Sequence, residues 1–92
     1  MPRDRESLQH ETASAQLTFL EAEADTGITL ARIALKANDR DKAARNLKSA
    51  RKAYETLNAH LGELPPRTPG LAAVREKMAT LRQLLHVLEE KP

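Results

Sequence analysis

The 92-residue chain contains no cysteine, which excludes disulfide bonds, a thiolate nucleophile and a cysteine-ligated zinc site. Its only aromatic residues are Phe19 and Tyr54. It also has no run near the roughly 18 apolar residues that a membrane helix requires, so we expect no membrane association. The first ten residues have no apolar segment behind their arginines, and if Met1 is the natural start we expect a cytoplasmic protein.

Motifs for chemistry are missing as well. The chain has no phosphate-binding or dinucleotide-binding glycine motif, and its serines have no paired histidine and base. The acidic side chains of Glu21, Glu23 and Asp25 are typical of a solvated helix face. The three histidines have no helical pairing, although a His10–Glu11–His60 metal site is conceivable if two antiparallel helices meet there. We therefore predict no enzyme activity, no cofactor and no metal.

The residues that are abundant are strong helix formers, namely Ala, Leu, Glu, Lys and Arg. Breakers concentrate in the segment LPPRTPG, and a softer break lies at Asn38–Asp39. The sequence thus predicts a single all-α domain over residues 1–92. It is an antiparallel three-helix bundle with helices near 5–37, 39–62 and 69–90 and a Pro/Gly linker at 63–70.

The helix boundaries have local signals. We expect the Asp39 side chain to cap the second helix, and Gly62 to end it. Thr68 followed by Pro69 predicts the N-cap and first residue of the third helix. Gly27 lies inside the first helical segment: it either allows a neighbouring helix to approach closely or marks a break at 25–27. We favour the continuous helix.

Apolar side chains recur at spacings of three and four in the second and third helices, as one face of an amphipathic helix requires. In the second helix they are Ala43, Leu47, Ala50, Tyr54, Leu57 and Leu61, and in the third Leu71, Val74, Met78, Leu81, Leu85 and Leu88. An antiparallel register about Asn38 brings Phe19 level with Leu57. We therefore predict that Phe19 meets Tyr54 in a core with Leu20, Leu47, Ala50, Leu81 and Leu85.

Residues 27–50 resemble one tetratricopeptide repeat, a helix-turn-helix unit with small residues where its helices touch. The second-helix stretch NDRDKAARNLKSA places Ala43, Leu47 and Ala50 at the repeat's alanine, large apolar and alanine positions, and Leu30 with Ala31 match its first helix. Gly27 and Ala34 depart from the pattern, and the second helix continues past the repeat's usual end. The resemblance implies a closely crossing helical hairpin, but not a peptide-binding array, which needs about three repeats.

Charge is distributed unevenly. Residues 1–25 have two basic and six acidic side chains, whereas residues 26–62 have eight basic and three acidic. The basic side chains of the second helix are Arg40, Lys42, Arg45, Lys48, Arg51 and Lys52. They either neutralise nucleic-acid phosphates or pair with the acidic first helix, where the register puts Asp25 opposite Arg51 and Glu23 near Lys52.

The third helix has more apolar residues than one seam requires. Leu84 and Val87 lie beside the main row and, three residues apart, share a face. Soluble monomers rarely leave a large contiguous apolar patch uncovered. We therefore predict a protein-interaction or self-association module that binds another protein or forms a homodimer through the C-terminal half of the third helix, with or without the first helix. The alternative is a nucleic-acid-binding accessory protein that uses the basic face of the second helix.

Overall fold

The computed structural model describes the backbone of residues 4–90 and the side chains of residues 13–90. The chain forms three α-helices, α1 (Asp4–Lys36), α2 (Arg40–His60) and α3 (Leu71–Glu90). A short 3-10 helix spans Leu61–Glu63. No strand occurs within residues 4–90. The helices pack as an antiparallel bundle of 58 × 18 × 16 Å, which confirms the predicted fold class. α1 runs through Gly27 without a break.

The turn between α1 and α2 follows the predicted chemistry. Asp39 has extended backbone geometry, and its Oδ1 accepts a hydrogen bond of 2.9 Å from the Asp41 N–H. This bond satisfies one of the N–H groups that the first turn of a helix leaves without a partner. Asp39 is therefore the N-cap of α2, as predicted.

The linker differs from the prediction. α3 begins at Leu71, and the Thr68 hydroxyl donates to the Pro65 carbonyl at 2.7 Å, so Thr68 closes a turn and does not cap the helix. The chain enters α3 through Gly70, whose φ of +87° is the only positive value among the described residues. A Cβ at Gly70 would lie 2.9 Å from the Leu17 side chain, so this turn requires glycine both for its conformation and for space.

The predicted stop at Gly62 is also wrong. α2 ends at His60, and Gly62 lies inside the following 3-10 helix with a negative φ. The chain tightens from α to 3-10 geometry, and the Leu61 N–H still donates to the Leu57 carbonyl. A 3-10 turn is a common way to satisfy the last carbonyls of a helix without a left-handed glycine.

The core lies where the three helices come closest. Its largest fully buried side chains are Leu20, Leu57, Val74 and Leu81. A Cβ at Gly27 of α1 would lie 2.7 Å from Leu81 Cδ2 of α3 and 3.0 Å from Ala53 Cβ of α2. The missing side chain of Gly27 therefore sets the spacing of all three helices, which confirms the close approach expected there.

The predicted meeting of the two aromatic residues is wrong. Phe19 is 55% exposed, whereas Leu20 is buried and Tyr54 is half-buried against the core. Adjacent residues of a helix point about 100° apart, so the burial of Leu20 turns Phe19 away from α2 and α3. Ala50, Leu81 and Leu85 are buried as predicted, and Leu47 is half-buried.

Candidate functional site

An open groove with a volume of about 1040 Å³ runs between α2 and α3. Its apolar floor includes Tyr54 from α2 with Met78 and Leu85 from α3. The charged and polar residues along its length are Arg51, Glu55, Arg75, Thr80, Arg82, Gln83, His86 and Glu89. The groove therefore combines an apolar floor with polar edges, as sites that bind another helix do.

Helical spacing positions the α3 side of this groove. Arg75, Met78, Arg82, Leu85 and Glu89 follow one another at intervals of three or four residues and so share one face of α3. From residue 75 to residue 89 the helix rises about 21 Å, at 1.5 Å per residue. The groove is thus long enough for a partner helix of about four turns.

The charges of the groove are arranged asymmetrically. At the α3 C-terminal end, Arg51 of α2 pairs with Glu89, with an Nη2–Oε1 distance of 2.9 Å and an Nε–Oε1 distance of 3.3 Å. Within residues 13–90, neither Arg75 nor Arg82 forms an ion pair. These two arginines are exposed and seven residues apart, so they present a cationic edge about two turns long.

Among the side chains of residues 13–90, no basic residue of α2 forms an ion pair with an acidic residue of α1, which corrects the expected Asp25–Arg51 and Glu23–Lys52 pairs. Lys77 of α3 takes that place. Its Nζ lies 3.0 Å from Asp25 Oδ1 and 3.3 Å from Glu21 Oε1. Gly27 of α1 lies against Ala53 of α2, about one turn away from the predicted register. Glu21 and Asp25 lie on the edge of α1 that faces α3.

The two carboxylates beside Lys77 favour its charged form. The hydrogen bond from its ammonium group to Asp25 raises the pKa of Lys77, partial desolvation opposes that effect, and Glu21 adds to the increase. A raised pKa means that the charged form of Lys77 is favoured by folding. This pair of contacts ties α3 to α1 on the side of α3 away from the groove.

All six basic side chains of the predicted nucleic-acid face are exposed. Arg45, Lys48 and Lys52 lie on one outward face of α2, since they are three and four residues apart. Asp41 lies on the same face at its N-terminal end, and Glu55, which also lines the groove, borders its C-terminal end. Arg51 is turned to Glu89. The face is therefore a mixture of both charges.

The predicted interaction residues lie on a different edge of α3 from the groove. Val87 is 48% exposed, and Leu84 is half-buried against the core. Leu84 follows Lys77 by seven residues, so it shares the edge that faces α1. Sequence reasoning missed the groove because Met78 and Leu85 read only as core positions. The arginines beside them, at 75 and 82, were the available signal.

Two histidines, His60 and His86, are among the described side chains, and each lies beside one carboxylate. His60 Nδ1 is 3.5 Å from Glu63 Oε2, and His86 Nε2 is 3.0 Å from Glu90 Oε1. The conceivable His10–Glu11–His60 site lies partly outside the described side chains. Among those that are described, no three His, Cys, Asp or Glu residues converge to hold a metal ion.

Across residues 4–90, every helix falls short of the length and apolarity that crossing a membrane requires. Comparison of this chain with protein-family models, with curated proteins and with solved structures finds no match.

Proposed function

We propose that this chain is a helical protein-interaction module whose groove between α2 and α3 binds an acidic amphipathic helix of a partner protein. The observation that supports this proposal is the apolar floor of Tyr54, Met78 and Leu85 beside the cationic edge of Arg75 and Arg82. We also propose that the protein acts in the cytoplasm and has no catalytic activity.

The lining of the groove supports a partner of this kind. A helix lying along it would place apolar side chains at intervals of three and four residues on the floor. Carboxylates seven residues apart on that helix would meet Arg75 and Arg82, and bidentate arginine–carboxylate contacts give geometric specificity. Such charges mainly raise the association rate and select against basic partners.

Nucleic-acid binding through α2 is the second candidate, supported by the exposure of Arg45, Lys48 and Lys52. Asp41 on the same face and Glu55 at its border reduce its positive potential, and Tyr54, the only aromatic residue of α2, is half-buried toward the groove. Single-strand binding normally combines a basic track with stacking aromatics. A protein helix therefore fits these surfaces better than a nucleic acid.

The test uses two designed 18-residue amphipathic peptides (about 27 Å when helical) with the same apolar face. One has glutamates along both flanks, and the other has lysines. Fluorescence anisotropy with labelled peptides is expected to show binding of the acidic peptide and weaker binding of the basic one. Reversing the edge with Arg75→Glu and Arg82→Glu is expected to reverse this preference.

The matched control is Arg45→Glu with Lys48→Glu, which changes the same charge on the outer face of α2 and should leave peptide binding unchanged. Met78→Asp should weaken both peptides because it places a charge on the apolar floor. Equal affinity of both peptides for the wild-type chain would contradict the proposal. Salt-dependent binding of DNA or RNA that Arg45→Glu and Lys48→Glu abolish would support the second candidate in its place.

A further inference from the structure

The outward face of α1 is unusual for a solvent-exposed helix. Its residues follow a spacing of four, three, four, three and four, all are exposed and none is charged: Ala15, Phe19, Ala22, Thr26, Thr29 and Ile33. We call these six residues the neutral face. Phe19 and Ile33 within it are 55% and 38% exposed. Charged residues make up 30% of the chain, yet none occurs on this face over 19 residues.

The neutral face is turned away from the rest of the bundle. Leu20, Ala24 and Ala31 of α1 are buried and point to the opposite side. The two edges of α1 beside them face α3, through Asp25 and Lys77, and α2, through Gly27 and Ala53. None of the residues 13–90 covers the neutral face, and an alternation of three and four residues is the pattern with which helices pair with each other.

We propose that the neutral face binds a second copy of this chain, with the two α1 helices antiparallel about a two-fold axis. This surface is separate from the groove, so the inference does not depend on the proposed function. A two-fold interface allows one self-complementary patch to cover itself. Such pairing would cover Phe19 and Ile33, two of the three large hydrophobic residues that are exposed among those described.

Charge selects the antiparallel orientation. Within the paired stretch, the half before Thr26 has Glu21, Glu23 and Asp25, and the half after Thr29 has Arg32 and Lys36. Antiparallel pairing puts each acidic half beside the basic half of the other copy. Parallel pairing puts like charges together, which is unfavourable.

Charge also selects the register. With the axis between Thr26 and Thr29, Ala22 of each copy faces Ile33 of the other, so a large side chain packs on a small one. Asp25 and Arg32 lie seven residues apart on one edge of the neutral face. In this register, Asp25 of each copy lies beside Arg32 of the other copy. A shift of one heptad would instead bring Asp25 onto Asp25.

The ends of the paired segment are also complementary. In this register Phe19 faces Lys36 of the second copy, whose aliphatic stem can cover the ring while its ammonium group stays in water. The neutral face thus offers two large exposed apolar residues about 21 Å apart, at 1.5 Å per residue. The α3 surface at Leu84 and Val87 offers one exposed large residue, Val87.

The mass of the full chain in solution tests the proposal. Light scattering over a concentration series is expected to reach twice the chain's 10.2 kDa. Phe19→Glu with Ile33→Glu should remove the doubled mass, and circular dichroism should show the helices retained because both side chains are exposed. Arg32→Asp should also weaken the dimer, because it places a carboxylate beside Asp25 of the second copy.

Single-cysteine variants test the register, since the chain has no cysteine of its own. Mixing Ala22→Cys chains with Ile33→Cys chains should give a disulfide-linked heterodimer on oxidation, whereas Ala22→Cys alone should crosslink poorly. The reverse pattern would overturn the antiparallel register.

Two outcomes would overturn the proposal as a whole. One is a mass that stays at 10.2 kDa at millimolar concentration. The other is a dimer that survives Phe19→Glu with Ile33→Glu but is lost in Leu84→Glu with Val87→Glu, which would place the interface on α3. The groove variants Arg75→Glu and Arg82→Glu should leave the dimer intact, so failure of one proposal can be told from failure of the other.

Discussion

At the scale of single residues, Gly27 determines how closely the helices approach. A Cβ there would lie 2.7 Å from Leu81 Cδ2 and 3.0 Å from Ala53 Cβ. Alanine would gain about 1 kcal/mol of helix propensity, but overpacking a closed core typically costs about 1–3 kcal/mol. Because Leu81 is fully buried and Ala53 is rigid, we expect Gly27→Ala to lower the free energy of unfolding on the order of 1 kcal/mol.

Urea denaturation measures this change, and Gly62→Ala is the matched control. A Cβ at Gly62 would meet no atom within 4 Å, so its substitution should be neutral or slightly stabilising. If Gly27→Ala stabilised the protein as much as Gly62→Ala, the three helices would not be in contact at that point.

Lys77 gives a pH-dependent prediction at the same scale. Asp25 and Glu21 raise its pKa above the ordinary lysine value of 10.5. A group with a raised folded-state pKa contributes stability below its unfolded pKa, and that contribution disappears as the pH rises through the folded value. We therefore expect wild-type protein to melt at a higher temperature than Lys77→Met at neutral pH, with the difference closing above pH 10.5.

Arg51→Met is the control for Lys77→Met. It removes the ion pair with Glu89, but a guanidinium group stays charged throughout this pH range. Any melting difference between Arg51→Met and wild type should thus persist where that of Lys77→Met closes. If the difference in melting temperature between wild type and Lys77→Met did not change with pH, the Lys77 side chain would contribute through packing and not through its charge.

At the scale of helices, the N-cap of α2 is a local interaction that one substitution can test. The 2.9 Å bond from the Asp41 N–H to Asp39 Oδ1 is removed in Asp39→Ala, and loss of such a cap costs about 1 kcal/mol. Thermal melts should show a lower midpoint for Asp39→Ala. Asp39→Asn keeps an accepting oxygen without the charge and should retain most of the stability, whereas an unchanged midpoint in Asp39→Ala would contradict the cap.

The helices themselves could be predicted because their signals are local. Asp39 accounts for the start of α2, and the proline cluster separates α2 from α3. The error at Thr68 arose because its hydroxyl could either cap α3 or close a turn within the linker. It donates to the Pro65 carbonyl, and Gly70 supplies the bend into α3. Sequence spacing does not reveal which of these interactions a short linker adopts.

The candidate surfaces were harder to predict, because they depend on how each helix is rotated. Phe19 and Leu20 are neighbours in sequence, and nothing in a single helical pattern decides which of them faces α2. Once Leu20 is buried, Phe19 is exposed and the neutral face follows. Similarly, the rotation of α1 directs Asp25 to Lys77 of α3 and not to Arg51 of α2.

At the scale of the whole molecule, α3 is joined to the α1–α2 hairpin by one linker and by its apolar face. Trypsin should cut first after Arg67, because this exposed linker residue lies outside the helices, and proteases prefer exposed loops to hydrogen-bonded helices. Mass spectrometry distinguishes this cut from trimming at Arg3 or Arg5, and Arg67→Gln should abolish it.

The two pieces should remain assembled after the cut. α3 buries Leu71, Val74, Leu81 and Leu85, and each buried side chain of this size contributes about 1.5–3 kcal/mol. The combined contribution of these four side chains is comparable to the cost of associating two separate chains, about 4–15 kcal/mol. We therefore expect the fragments to elute together in size-exclusion chromatography at high concentration and to separate in urea. Separation without denaturant, at every concentration, would show that the linker and not the core holds α3 in place.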